Sequence, residues 1–61
     1  MAWLTVDKNG EETIYEEAPI RDDGFWDPSF HDPSFVELPK GSIAKLIGRE
    51  LTWEDEPVEL K

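Results

Sequence analysis

The chain has 61 residues, no cysteine, and 15 acidic against 6 basic residues, for a net charge of −9 at neutral pH. A chain this short buries only about 60% of its unfolded surface, and without a disulfide or thiolate metal site its expected stability is roughly 3–5 kcal/mol. The charge excludes nucleic acid and anionic lipid as partners of the bulk surface, and no apolar stretch reaches the length of a membrane span.

The expected class is α+β: a small antiparallel sheet of three to five short strands, opened by an N-terminal β-hairpin, with one short helix packed on one face of a single domain, 1–61. Residues 3–17 predict the hairpin, turning at Asp7-Lys8-Asn9-Gly10. A two-residue Asn9-Gly10 loop would set Trp3 against Glu16. A three-residue loop, with a type I turn and Gly10 left-handed in a bulge, would set Trp3 against Tyr15 and Leu4 against Ile14. The second register pairs aromatic with aromatic and aliphatic with aliphatic, each pair worth ~0.2–1 kcal/mol, so it is preferred.

Ala18-Pro19 ends the second strand, because proline cannot donate to a ladder. Asp22-Asp23-Gly24 signals a turn, and Phe25-Trp26 predicts a short third strand. A repeat follows, Asp27-Pro28-Ser29-Phe30 and then Asp32-Pro33-Ser34-Phe35, which makes 27–34 a turn-rich loop. The doubled motif reads either as an exposed peptide with two aromatic anchors or as a loop whose phenylalanines enter the core. The second is the expectation, since so small a domain is short of apolar area. Phe35-Val36-Glu37-Leu38 resumes a strand, closed by Pro39.

Next comes a helix of about six residues, with Ser42 as its expected cap, Gly48 as its stop, and Ile43, Leu46 and Ile47 as a buried stripe. A helix this short holds only by docking on the sheet. Its window, Leu38 to Arg49, carries +3 from Lys40, Lys45 and Arg49, leaving −12 on the rest of the chain. Those cations serve the helix dipole and balance Glu37, Glu50 and Glu54; as a patch they would meet an acidic partner. Thr52-x-x-Asp55 suggests a single helical turn over 53–56, and Val58-Glu59-Leu60 a last strand.

Little in the sequence points to catalysis. His31 shares its loop with Asp27, Ser29, Asp32 and Ser34, but one turn-rich loop cannot hold a triad on rigid elements with a separate oxyanion site. Solvated faces account for Glu11-Glu12, Glu16-Glu17 and Asp22-Asp23. Asp7-Lys8-Asn9-Gly10-Glu11 starts like a calcium loop, yet Gly10 stands fourth where the sixth place is required and Ala18 twelfth where a glutamate is required. Weak divalent binding is conceivable at Glu54-Asp55-Glu56. Mimicry of nucleic acid requires the acids to gather on one face, because duplex DNA as long as this globule carries about 16 charges at one per ~1.7 Å.

The segments Val36-Glu37-Leu38-Pro39-Lys40-Gly41-Ser42-Ile43, Lys45 to Arg49 and Leu51 to Val58, with Trp3-Leu4-x-Val6-Asp7-x-x-Gly10, resemble small acidic proteins of bacterial and phage genomes. The resemblance implies a phage or mobile-element setting and a binder that blocks a host enzyme or defence complex; it carries no site residue over. The functional expectation is a non-catalytic protein-binding module that docks on a basic surface of a partner protein. Its contact residues would be Asp7, Glu11, Glu12, Glu16 and Glu17, with Trp26 as a ring anchor. No catalytic, cofactor or metal residue is expected, nor direct nucleic-acid or membrane binding. The cysteine-free composition and an amino end without the basic and apolar regions of a signal peptide suggest the cytoplasm. The alternatives are a self-associating structural domain without a ligand and a weak divalent-cation binder.

Overall fold

The computed structural model describes residues 2–60. Their elements are, in chain order, β1 (Ala2–Val6), β2 (Glu12–Tyr15), β3 (Ile20–Arg21), β4 (Trp26–Asp27), β5 (Phe35–Leu38), α1 (Ser42–Ile47) and β6 (Val58–Leu60). The hairpin adopts the bulged register, with Trp3 opposite Tyr15 and Leu4 opposite Ile14. The Gly10 N–H donates to the Asp7 carbonyl and the Asp7 N–H to the Glu11 carbonyl, both at 2.8 Å. Gly10 has φ 90°, a conformation glycine enters without the steric cost of a β-carbon.

β5 pairs with β2, and β6 with β1, to give a four-stranded antiparallel sheet in the order β5-β2-β1-β6. Side-chain alternation gives the sheet two different faces. On one, Leu4, Val6, Ile43 and Leu51 form the buried cluster, with Ile14, Leu38, Ile47, Val58 and Leu60 packed against it. That is the helix face. The other carries Thr5, Thr13 and Tyr15, all buried.

Residues 16–34 cover the second face. Within them β3 and β4 form a separate two-stranded sheet, Ile20 opposite Asp27 and Arg21 opposite Trp26. The predicted third strand is therefore Trp26–Asp27, paired with Ile20–Arg21 and not with the main sheet. Trp26 fastens this flap through three hydrogen bonds. Its indole N–H donates to the Val6 carbonyl (3.2 Å), its backbone N–H to Asp7 Oδ1 (3.1 Å), and its carbonyl accepts the Tyr15 hydroxyl (3.0 Å). Its ring meets Trp53 edge-on, centroids 5.9 Å apart, and the Arg21 guanidinium lies 4.6 Å from the Trp26 ring and 5.0 Å from that of Trp53. Arg21 Nη2 also donates to the Asp55 carbonyl at 2.8 Å, so one side chain ties the flap to the carboxyl-terminal loop.

The helix docks where expected but through fewer residues. Ile43 is 1% exposed and Ile47 half-buried, whereas Leu46 is 55% exposed. The contact is thus Ile43, with Ile47 half-buried against the same cluster: six residues give barely two turns, and Leu46 stays largely in solvent. Ser42 is the first helical residue rather than the cap, its hydroxyl donating to the Pro39 carbonyl (2.6 Å). Gly41 holds the N-cap position, and the free N–H groups of Gly41 and Ile43 donate to the two carboxylate oxygens of Glu12, each at 2.8 Å. Glu12 reaches them because β2 pairs it with Leu38, just before the helix. Gly48 ends the helix left-handed at φ 77°, its N–H donating to the Ala44 carbonyl. Residues 53–55 form a turn without becoming helical, and the Asp55 carboxylate accepts from both the N–H and the hydroxyl of Thr52. None of the helices among the described residues is long and apolar enough to cross a membrane.

Candidate functional site

Several acids proposed for contact are engaged inside the fold. Asp7 holds the Trp26 N–H, Glu12 caps the helix, and Glu17 Oε1 accepts the Ser29 hydroxyl at 3.1 Å. Burial pushes the Asp7 carboxyl above its ordinary range, the Trp26 N–H opposes this, and the nearby Glu11 charge adds to it. Glu11, Glu16 and Glu17 are exposed. Trp26, read as a ring anchor, is only 6% exposed, so it is a flap fastener and not a surface group. A short chain with little apolar material and two sheet faces to cover places a large ring such as Trp26 on the inside.

The exposed ring lies four residues further on. Phe30 is 96% exposed, in contrast to the expectation that both phenylalanines of the repeat enter the core. Phe35 is half out of the fold as well, its ring tilted against Tyr15 at 5.6 Å between centroids. The physical reason is that both faces of the sheet are already filled, by Ile43 and Leu51 on one side and Tyr15 and Trp26 on the other. The loop is nevertheless ordered. The Ser29 hydroxyl bridges Glu17 and the His31 N–H, and Asp32 Oδ1 accepts the Ser34 N–H at 3.1 Å. The Ser34 interactions also hold the Asp32 carboxyl below its usual range.

Beside Phe30 lies a hollow of about 550 Å³, lined by Ile20, Asp27, Pro28, Ser29, Phe30 and Pro33. Ile20 is itself 48% exposed, so the floor and the projecting ring make one apolar surface. Its surroundings are acidic. From Glu16 to Glu37 the chain has seven acidic residues and one basic residue, Arg21, whose guanidinium is stacked on the two tryptophans. Asp27 borders the hollow, and a hydrogen bond shared with the Asp22 carboxyl, followed by desolvation, raises its pKa. In the sequence Pro28 stood out only as part of the repeat, and Ile20 was not marked. Their signal was the proline pair that stiffens the loop around Phe30.

A wider hollow of about 720 Å³ opens across the hairpin tip, between Asp7, Lys8, Trp53 and Glu54. Its titratable groups do not converge as an acid–base pair, because the Asp7 carboxylate is turned inward onto Trp26. His31 is exposed, and the Ser29 hydroxyl beside it is committed to Glu17 rather than to the imidazole. The Asp55 carboxylate of the acidic 54–56 run is engaged by Thr52, and those bonds, aided by the charges of Arg49 and Arg21, lower its pKa. Among the described residues no group of three or more metal-capable side chains comes together. No family model matches the chain, and neither a curated protein nor a solved structure matches it significantly.

Proposed function

We propose that the chain is a non-catalytic, cytoplasmic protein-binding module that inserts Phe30 into an apolar pocket of a basic partner protein. The single observation that carries this reading is a fully solvated phenylalanine on an ordered loop, beside an apolar hollow, within an acidic surround. Leaving a large ring in water gains nothing for folding, and burying it against a partner contributes ~1.5–3 kcal/mol. The hydrogen bonds of Ser29 and Asp32 hold the loop beforehand, so less ordering entropy is lost on docking. Glu16, Glu17, Asp27 and Asp32 steer the encounter and select a basic surface. A phage or mobile-element setting, in which the partner is a host protein, is part of this proposal and rests on the resemblance to small acidic proteins of bacterial and phage genomes alone.

The test is affinity capture from a bacterial lysate with the wild-type chain and with Phe30→Ser, followed by purification of the retained protein and titration of both chains against it. The expected partner is basic. Its affinity falls about tenfold or more with Phe30→Ser, and association slows as salt rises. Equal affinity of the two chains, or a retained protein that is itself acidic, contradicts the reading.

A further inference from the structure

The two edges of the main sheet are not equivalent. In the β1–β2 pair, the bond from the Asp7 N–H to the Glu11 carbonyl fixes which residues face each other with both bonds, and the alternation makes Thr5 opposite Thr13 a bonded pair. The backbone groups of Glu12 and Ile14 therefore point the other way, toward β5, where their partners are Leu38 and Val36. The bond from the Glu16 N–H to the Ser34 carbonyl, 3.1 Å, continues the same set. It follows that the N–H and C=O of Phe35 and of Glu37 point outward from the sheet, and no hydrogen bond among the described residues uses them.

On the opposite edge, β6 turns the groups of Leu60 and Val58 toward β1, so Glu59 alone faces outward among its described residues. Pro57 precedes it and has no donor to offer. β5 thus presents the longer open edge, with Val36 62% exposed on the helix face and Phe35 half-exposed on the other. Pro33 and Pro39 bracket it and limit an added strand to a short segment.

We propose that β5 accepts an extended cationic segment of the partner as a fifth, antiparallel strand. This rests on the reading of the chain as a module for a basic protein and states how the partner is held. Residues of that segment opposite Glu37 and Phe35 would exchange both backbone bonds with them, four in all. Side-chain positions then set the sequence taken. The residue opposite Glu37 is Lys or Arg, the next covers Val36 and is aliphatic, and the third lies beside Phe35 and is aromatic. Charge argues against a second copy of this chain as the occupant, since each copy carries −9 and like charges at close quarters repel.

The probe is a blocked peptide, Gly-Lys-Val-Phe-Lys-Gly, titrated to millimolar concentration into the ¹⁵N-labelled full chain, with Gly-Glu-Val-Phe-Glu-Gly as control. Expected are shifts and slowed hydrogen exchange centred on the Phe35 and Glu37 amides, with no response to the acidic peptide. Glu37→Pro removes one outward donor that the β2 ladder does not use, and it should weaken binding roughly two- to tenfold. Glu37→Lys, which leaves the backbone untouched, should exchange the preference for the acidic peptide. Shifts confined to 27–34 or to β6, equal binding of both peptides, or concentration-dependent dimerisation through β5 would each overturn the proposal. If the peptide fails while Phe30→Ser still loses the captured partner, the strand-addition inference falls and the binding reading stands.

Discussion

Replacing Ile43 and Leu46 one at a time with alanine asks which helical residue holds α1 to the sheet. Both changes remove three carbons, and both leave alanine, so the gain in helix propensity is a few tenths of a kcal/mol in each case. The environments differ. Ile43 is 1% exposed within the Leu4–Val6–Leu51 cluster, so its loss removes about 2.4 kcal/mol of transfer energy at ~0.8 per methylene and leaves a cavity besides. The total comes to about 3–4 kcal/mol, within the range found for buried aliphatic truncations. Leu46 is 55% exposed, which reduces the transfer loss to about 1 kcal/mol with no closed cavity. Against a stability of roughly 3–5 kcal/mol, Ile43→Ala is left at the margin of folding, with about −1 to 2 kcal/mol, and Leu46→Ala keeps about 2–4 kcal/mol. Urea titration followed by tryptophan fluorescence and far-UV circular dichroism reads this directly. With a slope near 1 kcal/mol per molar, the midpoints should fall by about 3 M and about 1 M. Equal losses, or a larger loss at Leu46, would refute the docking described.

Three further outcomes follow from particular contacts. Glu12→Ala should cost about 1–2 kcal/mol, because two helix N–H groups lose their acceptor, whereas Glu11→Ala next to it should change stability little; thermal melts compare them. Arg21→Lys keeps the charge but loses the planar stack on Trp26 and Trp53, so the melting temperature should drop and the emission of Trp53 shift to the red; an unchanged spectrum would show that the stack holds nothing. The single tyrosine, Tyr15, should ionise at about 12 in the native chain and near 10 in urea, read by absorbance at 295 nm, because burial and then the Asp7 charge disfavour the phenolate. Raised in the folded state, this group binds its proton more tightly there, so stability should decline as pH rises from 10 toward 12. A native midpoint at 10 would place the phenol in solvent.

The hairpin was the most legible part of the sequence, because turn chemistry and cross-strand pairing are local and agreed on one register. The helix and its Gly48 stop were legible for the same reason. What escaped was decided by contacts distant in sequence. Ser42 has the right chemistry for a cap, yet Glu12, 31 residues from Ile43, supplies the acceptors. Trp26 and Phe30 are both large aromatic side chains standing four residues apart, and local pattern cannot say which one fills a face. The fold assigns Trp26 inward because its N–H groups find Val6 and Asp7, and leaves Phe30 out because the space is taken. The acids at Asp7 and Glu12 looked like surface charge and proved to be hydrogen-bond acceptors within the chain, while Glu17 accepts from Ser29 and remains exposed.

The most direct test of the interaction surface is site-specific photo-cross-linking in bacterial cells, with benzoylphenylalanine in place of Phe30 in one variant and of Leu46 in another. Both positions are exposed, Phe30 at 96% and Leu46 at 55%, so both probes reach solvent. A basic protein cross-linked from position 30 and absent from position 46 is the predicted result. The same product from both positions, or none from position 30, contradicts the account.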